Sequence, residues 1–405
     1  MKTFRRRGGQ RWLYGAVALL VVVYGCWAGL RPIPLLQAAS GLTQLTVQSA
    51  TSTLNWPATG QSAVGLVGSP ILDTHGAQTP VPTASTAKLI TALTVLQAKP
   101  LAPGQQGPTI TLTANDVAIY NAYLSQDGSL VVVQAGEQIS EYQMLEAMLL
   151  PSANNMADSL AIWAFGSLPA YSTFANKYVQ QLGLTETHIG SDASGFNPST
   201  TSTAHDLVRL GELTMQNPLL AQIVGQPSAG GIPVVGTIKN VNRLLGTDNI
   251  IGVKTGNTNQ AGGVFISASR TVVNTKPVTV VTALAGTPTL AQAMTDSLPF
   301  IQSAQANFKS VPVIQAGSVV GHYQLPWGGT LPVIASSSFN LEAWNGSVIP
   351  VTIKLNAVRD STRTGQTVGQ ITMPASILAG QQSVPAALQT SPTVPSPFWR
   401  LLHPF

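Results

Sequence analysis

The chain has 405 residues, 44% of them hydrophobic and only 9% charged, which is enough for one large domain, a smaller one and a substantial apolar core. Its formal net charge is +5, but six bases and no acid fall within residues 1–31 (Lys2, Arg5, Arg6, Arg7, Arg11 and Arg31). Removing those six from +5 leaves −1 for the rest, which excludes a basic face tracking nucleic-acid phosphates.

Trp12 to Leu30 runs 19 residues without a charge, roughly 28 Å of helix and about one bilayer core. Trp12 and Tyr14 near one end, and Tyr24 and Trp27 near the other, stand where interfacial aromatics do. Arg5, Arg6, Arg7 and Arg11 predict a cytoplasmic N-terminus, so the expectation is a single-pass membrane anchor with the rest of the chain extracytoplasmic. The alternative is secretion after cleavage of a signal peptide near Ala38-Ala39, whose apolar region would normally run about 7–15 residues. Cys26 is the only cysteine. No internal disulfide is therefore expected, and Cys26 reads as a small apolar residue of the membrane helix.

Residues 32–43, with Pro32 and Pro34, read as a tether, and a catalytic domain is expected over 44–305. Alternation near Leu45–Val47 and Ala63–Val67 predicts short strands. Behind Pro82, the apolar residues Leu89, Ile90, Leu93 and Leu96 recur at helical spacing. Ser85-Thr86-Ala87-Lys88 therefore opens a buried helix. Residues 136–166 read as mainly helical, with Pro151 interrupting them so that Ser152-Ala153-Asn154 occupies a turn. Helices are also expected at 173–183 and 203–215. Ile250-Ile251-Gly252-Val253 predicts a strand leading into Lys254-Thr255-Gly256, with Gly262–Ser269 as its hairpin partner. Helices interposed between the strands of one sheet indicate a mixed α/β layer architecture. From about 310 the composition shifts. Val351-Thr352-Ile353-Lys354-Leu355 alternates strictly, and a small all-β domain is expected over 311–383. Residues 384–405 read as a Pro/Ser/Thr linker and an apolar tail whose Phe398–Leu402 docks on the protein.

Three short motifs carry chemistry. On a helix, Ser85 and Lys88 share a face, and a helix start favours developing negative charge on the Ser85 hydroxyl. Lys88 is a base at neutral pH only if burial and a second cation lower its pKa; Lys254 is the candidate cation. Ser152 is then placed to relay the proton to a departing amine, and the Asn154 amide to hold the substrate backbone. Lys254 and Thr255 offer a charge and a hydroxyl to a terminal carboxylate. Gly256 permits close approach of the substrate to the backbone. Each motif alone is commonplace: a surface lysine after a cap, a turn asparagine, a turn tripeptide. Their order and local setting together point to acyl transfer.

Pro82-Thr83-Ala84-Ser85-Thr86-Ala87-Lys88-Leu89-Ile90-Thr91-Ala92 resembles the active-site segment of the D-alanyl-D-alanine carboxypeptidases, the low-molecular-mass penicillin-binding proteins. Leu150-Pro151-Ser152-Ala153-Asn154-Asn155, Leu182-Gly183-Leu184, Asp192-Ala193-Ser194-Gly195, Asn240–Leu245 and Ala261-Gly262-Gly263 agree with it, over roughly residues 60–270. The resemblance implies a β-lactamase/penicillin-binding transpeptidase-like α/β (α+β) domain, an antiparallel sheet flanked by helices, with a small β domain after it. It implies an oxyanion hole from the backbone N–H groups of Ser85 and Asn257. It also implies removal of the terminal D-alanine of peptidoglycan stem peptides through a Ser85 acyl-enzyme, with β-lactams as covalent inhibitors. No cofactor is implied. The histidines His75, His188, His205, His322 and His403 show no paired-ligand spacing, so no metal site is expected. A D,D-endopeptidase or transpeptidase would use the same residues. A class A β-lactamase would need a glutamate in a Glu-x-x-Leu-Asn context, which neither Glu186 nor Glu212 has. An inactive wall-binding relative would show damaged motifs, and these are intact.

Overall fold

The computed structural model describes residues 7–39, 42–273, 275–373, 375 and 380–403; Lys2, Arg5 and Arg6 of the basic N-terminus lie outside the described residues. Helix α1 (Arg7–Leu30) opens the chain, followed by strand β1 (Leu42–Gln48). Within α1, Arg11–Leu30 is long and apolar enough to cross a membrane, with 20 residues at a mean hydropathy of 2.0. The chain forms two compact units, Thr51–Lys309 and Met1–Ala50 with Ser310–Phe405.

The Thr51–Lys309 unit is built on a five-stranded sheet of β2 (Gln61–Leu66), β3 (Asp73–His75), β4 (Ile250–Thr258), β5 (Gly262–Val273) and β6 (Lys276–Thr287). The order is β4-β5-β6-β2-β3, and every pairing is antiparallel. Strand β4 lies at the edge, so one row of its backbone groups is unpaired within the sheet. Residues 263–269 of β5 are all buried, as in a sheet covered on both faces.

Helices α2 (Ala87–Ala98), α3 (Ala114–Leu124), α4 (Glu141–Leu149), α5 (Asn154–Phe165) and α6 (Leu168–Gln181) pack on one another. Helix α7 (Ala204–Gln216) lies against β2 and β6, α8 (Pro218–Val224) against β4, and α9 (Leu290–Ala306) against β5 and β6. The sequence marks several of these starts. Ser140 and Gln143 form a capping box on α4, and Thr113 and Asp116 another on α3, satisfying backbone N–H groups that the first turn leaves free. Gly166 ends α5 in the left-handed region at φ +82°, where a Cβ is costly. Helix α2 is buried from Ala87 through Leu96, with Lys88 its only charge in that span. A helix apolar on every side belongs at the centre of a core, and that position strips water from Lys88.

The second unit carries a six-stranded antiparallel sheet. Its strands are β1, β7 (Val319–Gln324), β8 (Thr330–Ala335), β9 (Val348–Leu355), β10 (Thr367–Met373) and β11 (Gln382–Leu388), in the order β1-β9-β10-β11-β8-β7. The alternation in β9 turns Val351, Ile353 and Leu355 inward.

Three expectations change, and one helix was not foreseen. Leu45–Val47, placed with the catalytic domain over 44–305, instead pairs with β9, Leu45 opposite Val351. A short alternating run does not specify its partner, and β9 supplies a matching free edge. The tether is partly structured: Leu36 is 1% exposed and exchanges backbone hydrogen bonds of 2.8 and 3.0 Å with Val358. Residues 384–388, read as the start of a linker, form β11 with Val384, Ala386 and Leu388 buried; Pro385 and the Ser/Thr content around it masked the alternation. Helix α3, unassigned from sequence, has only Tyr123 buried, so it shows no apolar stripe. The tail forms α10 (Pro397–Leu402) against the end of α1. There Tyr24 donates to Leu401 O at 2.7 Å and Arg400 to Gly29 O at 2.7 Å.

Candidate active site

Ser85 sits in a short 3-10 turn, Ala84–Thr86, that runs directly into α2. Ala84 takes φ +47°, an unusual conformation for a residue with a Cβ. Gly195 makes room for that turn, since a Cβ there would collide with Ala84 O. One helical turn on, Lys88 Nζ donates to Ser85 Oγ at 2.8 Å. Nζ also donates to Asn154 Oδ1 at 2.8 Å and to Ser194 O at 3.1 Å. Lys88 is fully buried, and burial pushes its pKa down to about 7 against the opposing pull of Asp192 and Asp158. A lysine in contact with a serine hydroxyl and able to shed its proton near neutrality is a competent general base.

Strand β4 brings the second cation. Lys254 is 2% exposed, and burial, with Lys88 as a further cause, holds it well below the usual lysine range. Its Nζ donates to Thr255 O at 3.2 Å; among the described residues no carboxylate pairs with it. Thr255 is buried and Asn257 exposed at the strand's end. Gly256 packs closely on the Ser85 turn. A Cβ at this position would lie 2.9 Å from Thr83 O, 3.2 Å from Ala84 Cβ and 3.3 Å from Ser85 N. The glycine therefore lets β4 press onto the turn that carries Ser85.

Ser85, Lys88 and Asn154 are thus joined by hydrogen bonds, and Gly256 places the Lys254 strand against them. The Asn154 amide oxygen accepts from the Lys88 ammonium. Ser152 takes φ +66°, and its buried Oγ has no hydrogen-bond partner; no hydrogen bond ties it to either lysine. Glu212 lies on α7 and is paired with Arg209 at 3.2 Å, away from this network.

Residues 58–286, more than half of the chain, match the family described as D-alanyl-D-alanine carboxypeptidase. The chain belongs to that family. It is 34% identical over 196 residues to a D-alanyl-D-alanine carboxypeptidase of Mycobacterium tuberculosis, covering 46% of this chain and 62% of that protein. It is also 34% identical over 209 residues to a D-alanyl-D-alanine endopeptidase of Pseudomonas aeruginosa, covering 50% of this chain and 63% of that one. The chain thus spans less than two thirds of the length of these relatives. The crystal structure of penicillin binding protein 5 from Haemophilus influenzae shares the fold, with a TM-score of 0.56 at 20% identity over 85% of this chain and 99% of that chain.

Further hydrogen-bonding groups stand behind Lys88 in this D-alanyl-D-alanine carboxypeptidase family member. Tyr123 on α3 donates to Asp158 on α5 at 2.7 Å. Asp192 accepts from Ser194 N, Ser194 Oγ, Gly195 N and Asn197 N at 2.6–3.0 Å. Thr91 Oγ1 donates to Ala193 O at 2.6 Å and meets Tyr171 Oη at 2.7 Å. Asp192–Gly195 and Thr91 lie in segments that carry the resemblance, whereas Asp158, Tyr123 and Tyr171 do not.

Proposed function

We propose that this chain is a serine-type D-Ala-D-Ala carboxypeptidase acting on peptidoglycan stem peptides and acylated by β-lactams. The observation that carries the reading is the fully buried Lys88 in contact with Ser85 Oγ, with a second buried lysine, Lys254, that has no carboxylate partner among the described residues. A substrate ending in a carboxylate supplies the missing countercharge. The unpaired edge of β4 suits an extended peptide.

In the proposed reaction, Ser85 Oγ attacks the carbonyl carbon of the terminal D-Ala-D-Ala bond as its proton passes to Lys88 Nζ. The backbone N–H groups of Ser85 and Asn257 hold the oxyanion. The C–N bond then breaks, and the departing amine takes the proton from Lys88 by way of Ser152, whose unpartnered hydroxyl suits a relay. Water adds to the ester, Lys88 accepts its proton, and the shortened peptide leaves as Ser85 regains a hydrogen. Thr255 and Lys254 bind the substrate carboxylate, and Asn154 orients the base.

A D,D-endopeptidase reading is kept, because a relative with that name matches at the same 34% identity. Fluorescent penicillin is expected to label the wild type. D-alanine release from a pentapeptide, measured beside cleavage of a cross-linked dimer, separates the two activities; cleavage of the dimer alone overturns the carboxypeptidase reading.

For localisation, the proposal is that α1 is retained as a single-pass anchor with the catalytic unit outside. Cleavage near Ala38-Ala39 would remove Leu36 from the β core and break the Ala38–Tyr323 bridge. That loss supports retention over a removed leader. N-terminal sequencing of the membrane fraction tests it; a mature protein starting near residue 39 overturns it.

A further inference from the structure

We propose that Asp158 is a positioning residue that sets the working pH range of Lys88, an inference that rests on the acyl-enzyme reading above. Asp158 stands one helical turn beyond Asn154 on α5, so both side chains share a face. Asn154 holds the Lys88 ammonium directly, whereas Asp158 acts on what lies behind it. Its Oδ1 accepts from Ala193 N at 2.8 Å and its Oδ2 from Tyr123 Oη at 2.7 Å. The Tyr123 hydroxyl lies 3.3 Å from Ser194 Oγ, and Ser194 O is the third acceptor of Lys88. One carboxylate thereby ties α3, α5 and the Ala193–Ser194 segment into the wall that supports the base.

The two acids near Lys88 are not equivalent. Asp192 is occupied by four donors and organises its own loop. Asp158 has two donors and is 5% exposed. Burial first, then Asp192, pushes it up to about 6, close to the range in which Lys88 itself exchanges its proton. The other titratable or charged groups facing this cluster are Tyr123 from α3, Tyr171 from α6 and Lys254 from β4. Both tyrosines are pushed up by burial and stay neutral in the working range. Asp158 is therefore an acid of this wall placed to change charge there. An ionised Asp158 favours the protonated lysine. Without that charge, Lys88 gives up its proton at lower pH.

The test is the pH profile of acylation by fluorescent penicillin. Asp158→Asn keeps an acceptor for Ala193 N and a donor for the Tyr123 oxygen, but removes the charge. The acid limb of the profile is expected to move down by about one pH unit. Tyr123→Phe leaves the acid but removes a donor that favours its charged form, so the limb moves the same way by less. Asp158→Glu restores the charge and returns the limb toward the wild-type position. An unmoved or upward-moved limb in Asp158→Asn and Tyr123→Phe, each with wild-type thermal melting, overturns the inference. If Asp158→Asn does not fold, Tyr123→Phe decides alone. Failure of the wild type to acylate at any pH overturns the acyl-enzyme reading instead, so the two failures are distinct.

Discussion

The two units bury different kinds of side chain. In the β unit the core is Leu36, Tyr323, Val333, Ile353, Ile371, Met373 and similar residues, and its buried polar side chains among the described residues are Ser49 and Asn345. In the Thr51–Lys309 unit, Lys88, Lys254, Asp158, Asp192, Asn154 and Ser194 are buried together with the apolar core. Burying polar and charged groups costs stability unless they are paired. The β unit spends its interior on cohesion; the Thr51–Lys309 unit accepts that cost so that a lysine can lose its proton near pH 7.

The largest effect is expected at the nucleophile. Ser85→Ala should abolish penicillin labelling while leaving the fold intact, since Ser85 is only half-buried and forms one side-chain hydrogen bond, to Lys88. Labelling read by gel and by intact mass checks this; a residual covalent adduct would move the nucleophile elsewhere. Lys88→Met comes next, with acylation slowed about a thousandfold. Its second readout is stability. In the unfolded chain Lys88 keeps its proton to about 10.5, while in the fold it gives it up around 7. Between those values the unfolded state binds more protons, so wild-type stability climbs with pH across that window. Lys88→Met should flatten part of that climb in denaturant titrations between pH 7 and 10, with Lys254 retaining the rest. An unchanged slope would mean that the lysine is not desolvated as described.

The degree to which sequence revealed these features follows the same contrast. The Ser85-to-Lys88 spacing, the turn at Ser152 and the strand into Lys254 were legible because each is local. Helical periodicity and Pro151 place them without knowledge of the fold. The Asp158–Tyr123 link was not legible, because it joins α5 to a helix with a single buried residue and no apolar stripe. The Leu45–Val47 pairing was not legible either. Its partner lies some 300 residues away, and a period of two identifies a strand but not its neighbour. Gly256 was legible as a glycine that lets a substrate come close, whereas its packing on Thr83–Ser85 is a contact that only the folded chain supplies.

Gly256→Ala sharpens that point with a smaller effect. The added methyl meets backbone at Thr83 O, so something must shift. Overpacking of this kind costs about 1–3 kcal/mol, and displacing Ser85 should slow acylation by about ten- to a hundredfold. Thermal melting and labelling rate, measured on the same preparation, check both. A normal rate with lowered stability would mean that the strand yields without moving the serine.

The smallest effect is the one that most directly tests the division between the units. Ile371 is fully buried in the β core, in β10 between β9 and β11. Ile371→Val removes one methyl group and should cost about 0.5–1.5 kcal/mol. The residue shares no hydrogen bond with the Lys88 network, and the site's buried charges all lie within Thr51–Lys309. The acylation rate and the position of its acid limb should therefore stay at wild-type values while the melting temperature falls. A slowed rate, or a shifted limb, at unchanged folded fraction would show that the apolar unit helps hold the lysine's surroundings, and the contrast between a cohesive core and a functional one would have to be redrawn as a single coupled interior.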